Sequence, residues 1–218
     1  MTTESLSLPA RLYLLAWDTD KMKASGTSHL NYLVRAGALT ELAQRGLLVD
    51  EDGVARSAAA TRTGDPVLDG LLDLVQESKG RKWKSWVTHK SSQTLDALRE
   101  QLAADGQLTT SSGMFSRTKY ELARPEVVKA LKAEARETLT GTGPVDDIAE
   151  ADAAVVALAA GAELKTLVTR KERKEYKDRI EALTDRSGST APALKRVIHE
   201  VKVAIAVAVT AGAGAAGS

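Results

Sequence analysis

The chain contains no cysteine, a single phenylalanine and a single asparagine, Asn31. Without cysteine there is no disulfide framework, no thiolate metal site and no cysteine nucleophile. Aromatic residues make up only 4% of the 218 residues. Charge of one sign is also lacking: 30 basic and 29 acidic side chains leave a formal net charge of +1. That balance excludes a strongly basic nucleic-acid tail and a strongly acidic binding tail. The start, Met1-Thr2-Thr3-Glu4, has neither a basic region nor an apolar core, so no secretory signal is expected. The longest apolar run, Val203 to Val209, falls far short of the roughly 20 residues that a spanning helix needs. Any membrane contact is therefore expected to be peripheral, on a cytoplasmic protein.

What is present is alanine-rich and patterned for helices. Pro9 suits the first turn of a helix that runs to Trp17. Leu30, Leu33, Val34, Gly37, Ala38 and Leu42 recur at helical spacing, and Gly46 is placed to stop that helix. Asp52-Gly53 between two short apolar runs predicts a hairpin over Leu47–Ala55. Thr63-Gly64-Asp65-Pro66 opens a helix, with Asp65 as cap and Pro66 in the first turn. A short helix carries Trp83, Trp86 and Val87, and another carries Leu95, Leu98 and Leu102 before Gly106. Leu108 to Leu122 reads as a second hairpin turning at Ser112-Gly113.

The C-terminal half reads as helical throughout. Pro125 opens one helix, and Ile148 to Leu164 forms an alanine-rich one. Thr169 and Glu172 make a capping box. A last helix, from about Pro192 to Val209, becomes apolar all round, which predicts burial at the domain centre. The expected fold is mainly α: one globular helical domain over 5–210, around an apolar central C-terminal helix, with one or two short β-hairpins. Residues 211–218 are expected to be a flexible tail.

Chemistry-bearing motifs are few. His29, His89 and His199 lack a second ligand at metal spacing, and surface or partly buried roles are expected for them. Asp18 and Asp20 could face a hard cation, and an enzyme reading rests on them alone. There is no phosphate-binding glycine loop and no serine elbow. Arg81 to Trp86 sets three cations around two indoles. Arg117 and Lys119 follow Met114 and Phe115 at the second hairpin. An apolar tip beside cations suits an anionic membrane surface. The alternative is that the rings pack in the core and the cations are solvated neighbours. Trp86 is expected to be core, and both readings stay open for Met114 and Phe115. The charged run Arg170 to Arg179 is expected to be a solvated helix face.

Several stretches together resemble the Golgi phosphoprotein 3-like family, and the chain looks like a bacterial member of it. They are LSLPARLYLLAWD (6–18), AGALTELAQRGLL (36–48), TGDPVLDGLLD (63–73), WKSWV (83–87), LREQLAADGQL (98–108) and LVTRKERKEYKDRI (167–180). The resemblance implies a helical domain around an apolar central helix, with a projecting β-hairpin. It implies no enzyme activity and no cofactor. It implies peripheral binding to anionic phospholipid, with phosphatidylinositol 4-phosphate as the headgroup. It also implies a protein client and self-association.

The family's basic headgroup pocket has one tryptophan and three arginines. Matching ELAQRG places one of those arginines on Arg35. The tryptophan position falls near Gly26, and Trp17 lies close enough in sequence to substitute. The other two arginines fall near Ser92 and Leu95, where Lys90 or Arg99 could supply charge instead. The implied membrane-contact hairpin carries Met114, Phe115, Arg117 and Lys119. A different reading is a winged-helix nucleic-acid-binding regulator over Leu95 to Leu122. Against it, Asp96 and Glu100 outnumber Arg99 on the presumed recognition helix, so no nucleic-acid partner is expected.

Overall fold

The computed structural model describes residues 6–25, 29–58, 61–111, 118–189, 198–200 and 202–207. The first helix, α1 (Leu8–Leu15), begins with Pro9 in its first turn and is buried along nearly its whole length. Its Leu8 N–H donates to Glu41 Oε2 at 2.7 Å. Glu41 lies on α2 (Leu30–Gln44), so one helix supplies the carboxylate that caps the positive end of another. The two helices cross at Gly37, where a Cβ would lie 2.7 Å from Leu12 Cδ1 and 3.1 Å from the Pro9 backbone.

Between α1 and α2 lie two short antiparallel strands of two residues each, β1 (Trp17–Asp18) and β2 (Lys23–Ala24). Helix α2 stops at Gly46, whose φ of 70° only glycine adopts easily. The hairpin β3 (Leu48–Glu51) and β4 (Val54–Ser57) turns on Asp52 and Gly53, both at positive φ. That is the conformation a two-residue hairpin loop requires.

Helix α3 (Pro66–Gln76) starts as expected: Asp65 Oδ1 accepts from Val67 N at 2.8 Å and Leu68 N at 3.1 Å. Asp69 closes the preceding turn by accepting from Thr63 N and Thr63 Oγ1 at 2.7 and 2.8 Å. A third strand, β5 (Arg81–Lys82), adds to β4 and feeds α4 (Trp83–Thr88). Trp83 and Trp86 are both fully buried, and Trp83 Nε1 donates to Asp50 Oδ1 at 2.8 Å. Helix α5 (Ser91–Ala104) is followed by the hairpin β6 (Leu108–Ser111) and β7 (Lys119–Leu122).

The second half is helical: α6 (Pro125–Thr140), a 3-10 turn at Val145–Asp147, α7 (Glu150–Gly161), α8 (Arg170–Glu175) and α9 (Lys177–Arg186). The capping box of Thr169 and Glu172 is formed. Arg136 also donates to Glu172, at 2.6 Å, so that carboxylate ties α6 to α8.

The core is centred on α2 and α7 rather than on the C-terminal helix. Helix α2 packs against α1, α3, α4, α5 and α7. On α7 every residue from Ala153 to Ala160 is buried. Small side chains let this helix be surrounded. Residues 198–200 and 202–207 are helical, but they present two faces: Ile198 and Ile205 are buried, while Val203 and Val207 are 47% and 60% exposed. The expectation of an all-round buried C-terminal helix is corrected for these residues. An apolar run marks a low-polarity helix, but the number of neighbours it finds decides its burial.

Candidate anion-binding site

The site begins with one side chain. Arg35 sits in the second turn of α2, among core residues, and is only 1% exposed. Its Nη2 donates to the Lys90 carbonyl at 2.8 Å. Its Nε and Nη1 are buried without a hydrogen-bond partner among the described residues. Burial pushes the guanidinium pKa down to about 10, so the group remains charged at neutral pH. A buried charge without a partner is costly, and a polar group left unpaired in a packed interior costs about 1–3 kcal/mol. An anion beside Arg35 would satisfy both nitrogens at once.

Lys90 precedes the first turn of α5 in the left-handed region, at φ 50° and ψ 28°. Asn31, one turn before Arg35, donates to Ser91 Oγ at 2.8 Å and fixes α2 to the same helix start. Helix α5 has no side-chain cap among the described residues. Its 14 residues put a partial positive charge at that end, where Gln93 N donates to the Lys90 carbonyl at 3.0 Å. Other helices of the chain also start without a side-chain cap; the unpaired guanidinium distinguishes this start. A cleft of about 270 Å³ runs between α3 and α5, with Arg35 among its lining residues. Its rim includes Asp73, bound to Arg62 at 2.8 Å, and the exposed Glu77.

More cations gather on the α4 side. The Trp86 ring has the Arg81 guanidinium 5.9 Å from its centroid and the His89 ring at 5.5 Å, edge-on. Burial, and then the charges of Arg81, Lys90 and Arg35, hold His89 below the ordinary imidazole pKa. Arg81, Lys90 and Arg35 thus all act on His89, and Arg35 meets the Lys90 backbone although 55 residues separate the two.

The other expected headgroup residues lie elsewhere. Arg99 lies nine residues beyond Lys90 on α5, about 13 Å along a helix that rises about 1.5 Å per residue. Its guanidinium stands 5.8 Å from the Tyr13 ring and 5.6 Å from the Tyr120 ring, and it pairs with Asp96 at 3.5 Å. Trp17 is buried, edge-on to Tyr13 at 6.5 Å. Its carbonyl accepts from Lys132 Nζ at 2.6 Å. Trp17 and Arg99 thus belong to an aromatic cluster that anchors β7 through Tyr120. Of the expected hairpin residues, Met114, Phe115 and Arg117 lie outside the described residues. Lys119 begins β7 and pairs with Glu121 at 2.8 Å.

Asp18 is engaged within its own loop. Its Oδ1 accepts from the backbone N–H groups of Asp20 and Lys21, both at 3.1 Å, and its other oxygen meets Lys21 Nζ at 3.2 Å. Among the described residues no three His, Asp or Glu side chains are grouped to hold a metal ion.

A roomier cleft, of about 610 Å³, lies where α1, α2, α3 and α7 meet. The ELAQRG and TGDP stretches both border it. Its charges are matched: Arg11 with Asp152 at 2.6 Å, Arg45 with Glu41, and Arg186 with Glu150 at 3.6 Å. The residues that carry the family resemblance here are structural.

Sequence reasoning missed that His89 lies in the field of both Arg35 and Arg81. The only signal was the basic density of RKWKSWVTHK over 81–90, which equally describes a solvated helix. No described helix is long and apolar enough to cross a membrane. No curated protein matches the chain. The sequence profile of the Golgi phosphoprotein 3 (GPP34) family matches residues 8–201, from the first residue of α1 into the C-terminal helix, and the chain belongs to that family.

Proposed function

We propose that this protein is a non-catalytic peripheral membrane adaptor that binds an anionic phospholipid headgroup at the start of α5. Arg35 is the buried anchor, and Lys90 is the exposed cation beside it. Phosphatidylinositol 4-phosphate is the headgroup that family membership suggests. The observation that supports this reading is the Arg35 guanidinium, with Nε and Nη1 unpartnered among the described residues, next to a helix start without a side-chain cap. A cation near a charged membrane contributes about 1 kcal/mol, so several must act together or the protein must self-associate. Arg35, Lys90, Arg81 and the membrane-facing hairpin would supply that sum on the inner face of the cell membrane. The winged-helix alternative asks α5 for a row of free cations, whereas Arg99 is bound by Asp96 and held between two tyrosines.

Co-sedimentation with vesicles at low and physiological salt tests the proposal. The vesicles compared are neutral, generically anionic, and anionic with phosphatidylinositol 4-phosphate. Anionic vesicles should pull down the protein, more strongly at low salt. Arg35→Met should weaken that binding at least fivefold. Equal sedimentation of the wild type and Arg35→Met would place the site elsewhere.

A further inference from the structure

Trp86 forms a platform of unusual composition. Its indole is fully buried, with Nε1 unpartnered among the described residues. Arg81 from β5 approaches the ring, and His89 from the end of α4 meets it edge-on. The charged groups that act on His89 come from three elements: Arg81 on β5, Lys90 at the start of α5 and Arg35 on α2. All three are cations. An imidazole in that field stays neutral at pH 7 because protonation would add a fourth positive charge to a half-buried cluster. The balance reverses once an oxyanion occupies the cluster, because its charge faces the imidazole and favours the imidazolium.

We propose that Arg81, His89 and Lys90, backed by Arg35, form an oxyanion subsite in which His89 takes up a proton when the anion binds. The ligand chemistry is a phosphate or sulfate group, carried by a lipid headgroup or free in solution. The inference rests on the reading of this helix start as an anion site and adds proton linkage to it. Its sign follows from the geometry. The free protein has His89 neutral at pH 7.5, and the complex has it charged at lower pH. Affinity therefore rises as pH falls from 7.5 towards 5.5. In that interval phosphodiesters and sulfate keep a constant charge, so the protein alone titrates.

The test uses the full chain with phosphatidylcholine vesicles containing phosphatidylglycerol, a diester lipid. The ratio of partition coefficients at pH 5.5 and 7.5 is measured for wild type, His89→Gln and His89→Lys. The wild-type ratio should exceed that of His89→Gln by about fivefold, since a one-unit pKa rise is worth at most about tenfold and this pH window captures only part of it. His89→Lys, permanently charged, should bind more tightly than the wild type at pH 7.5 and show the flat ratio of His89→Gln. Thermal melting of each variant confirms folding. In parallel, NMR titration of the His89 ring with and without inorganic sulfate should give a higher pKa when sulfate is present.

Equal pH ratios in wild type and His89→Gln, with no response of His89 to sulfate, overturn the inference while leaving vesicle binding intact. A sulfate response without vesicle binding supports the oxyanion subsite, with a free anion as its source, and overturns the membrane reading. Failure of both arms overturns the two together.

Discussion

Two regions of this protein bury charge at helix starts and treat it in opposite ways. Where α1 meets α2, the Glu41 carboxylate accepts from Leu8 N and pairs with Arg45. Where α2 meets α5, Arg35 finds one carbonyl and leaves two nitrogens without partners among the described residues. The first arrangement is closed: each charge has its counter-charge within the chain. The second is open. A buried ion that the protein itself completes is a joint, whereas one that it leaves incomplete is a place for a ligand. The family's most recognisable stretches, ELAQRG and TGDP, fall at closed joints. The one residue of α2 that points to binding is not part of either.

The comparison can be broken by mutation. The largest effect is expected at Glu41. Glu41→Ala removes the cap of α1 and strands Arg45, and should lower stability by about 2 kcal/mol in urea unfolding. Arg35→Met should have the opposite character, with stability unchanged or increased, because replacing an uncompensated buried charge by an apolar side chain removes its desolvation cost. If Arg35→Met unfolds as easily as Glu41→Ala, the guanidinium is a joint like the other and the contrast disappears.

A smaller pair separates stability from binding. Asp65→Ala should cost about 1 kcal/mol, the usual worth of an N-cap, and leave vesicle binding untouched. Lys90→Gly should do the reverse. Glycine accepts the left-handed backbone, relieving about 1 kcal/mol that offsets its greater chain entropy. The loss of one cation should still weaken vesicle binding about fivefold, for about 1 kcal/mol per cation. Loss of binding in both variants would mean that the α3 and α5 starts are one site.

The smallest effect concerns pH. Glu172 is held down to about 2, first by the Thr169 backbone, then by its hydroxyl and by Arg136. A carboxylate with a depressed folded pKa contributes stability that is full above its unfolded value and lost as pH falls through the folded one. The loss should therefore run from about pH 4.5 down to about 2. Thermal melts across that window should show the loss in wild type and a weaker dependence in Glu172→Gln.

Much of the fold was legible because its determinants are local. Asp52-Gly53 set a hairpin, Gly46 and Gly106 stopped helices, and Asp65 and Thr169 started them, each within a few residues of its partner. The third strand β5 was not legible, since its two residues pair only because α3 returns the chain to β4. Nor was the centre of the core: the alanine-rich α7 and the valine-rich C-terminal helix have similar apolar character, and their neighbours alone distinguish them. Both Arg35 and Lys90 were suggested by the family pattern, and only the structure shows the Arg35 guanidinium donating to the Lys90 carbonyl. Trp17 and Arg99 were plausible by sequence distance and belong instead to the Tyr13–Tyr120 cluster.

Composition, caps and turn residues settled that this chain is mainly helical and where most of its elements begin and end; the family match over residues 8–201 settled to which family it belongs. Backbone propensity and capping act over three or four residues, so one stretch of sequence carries them. Which charges are satisfied is a property of pairs far apart in the chain. Glu41 and Leu8 are separated by 33 residues, and Arg35 and Lys90 by 55. Only packing of α2 against its neighbours could show that one of these buried ions has its counter-charge and that the other, among the described residues, does not.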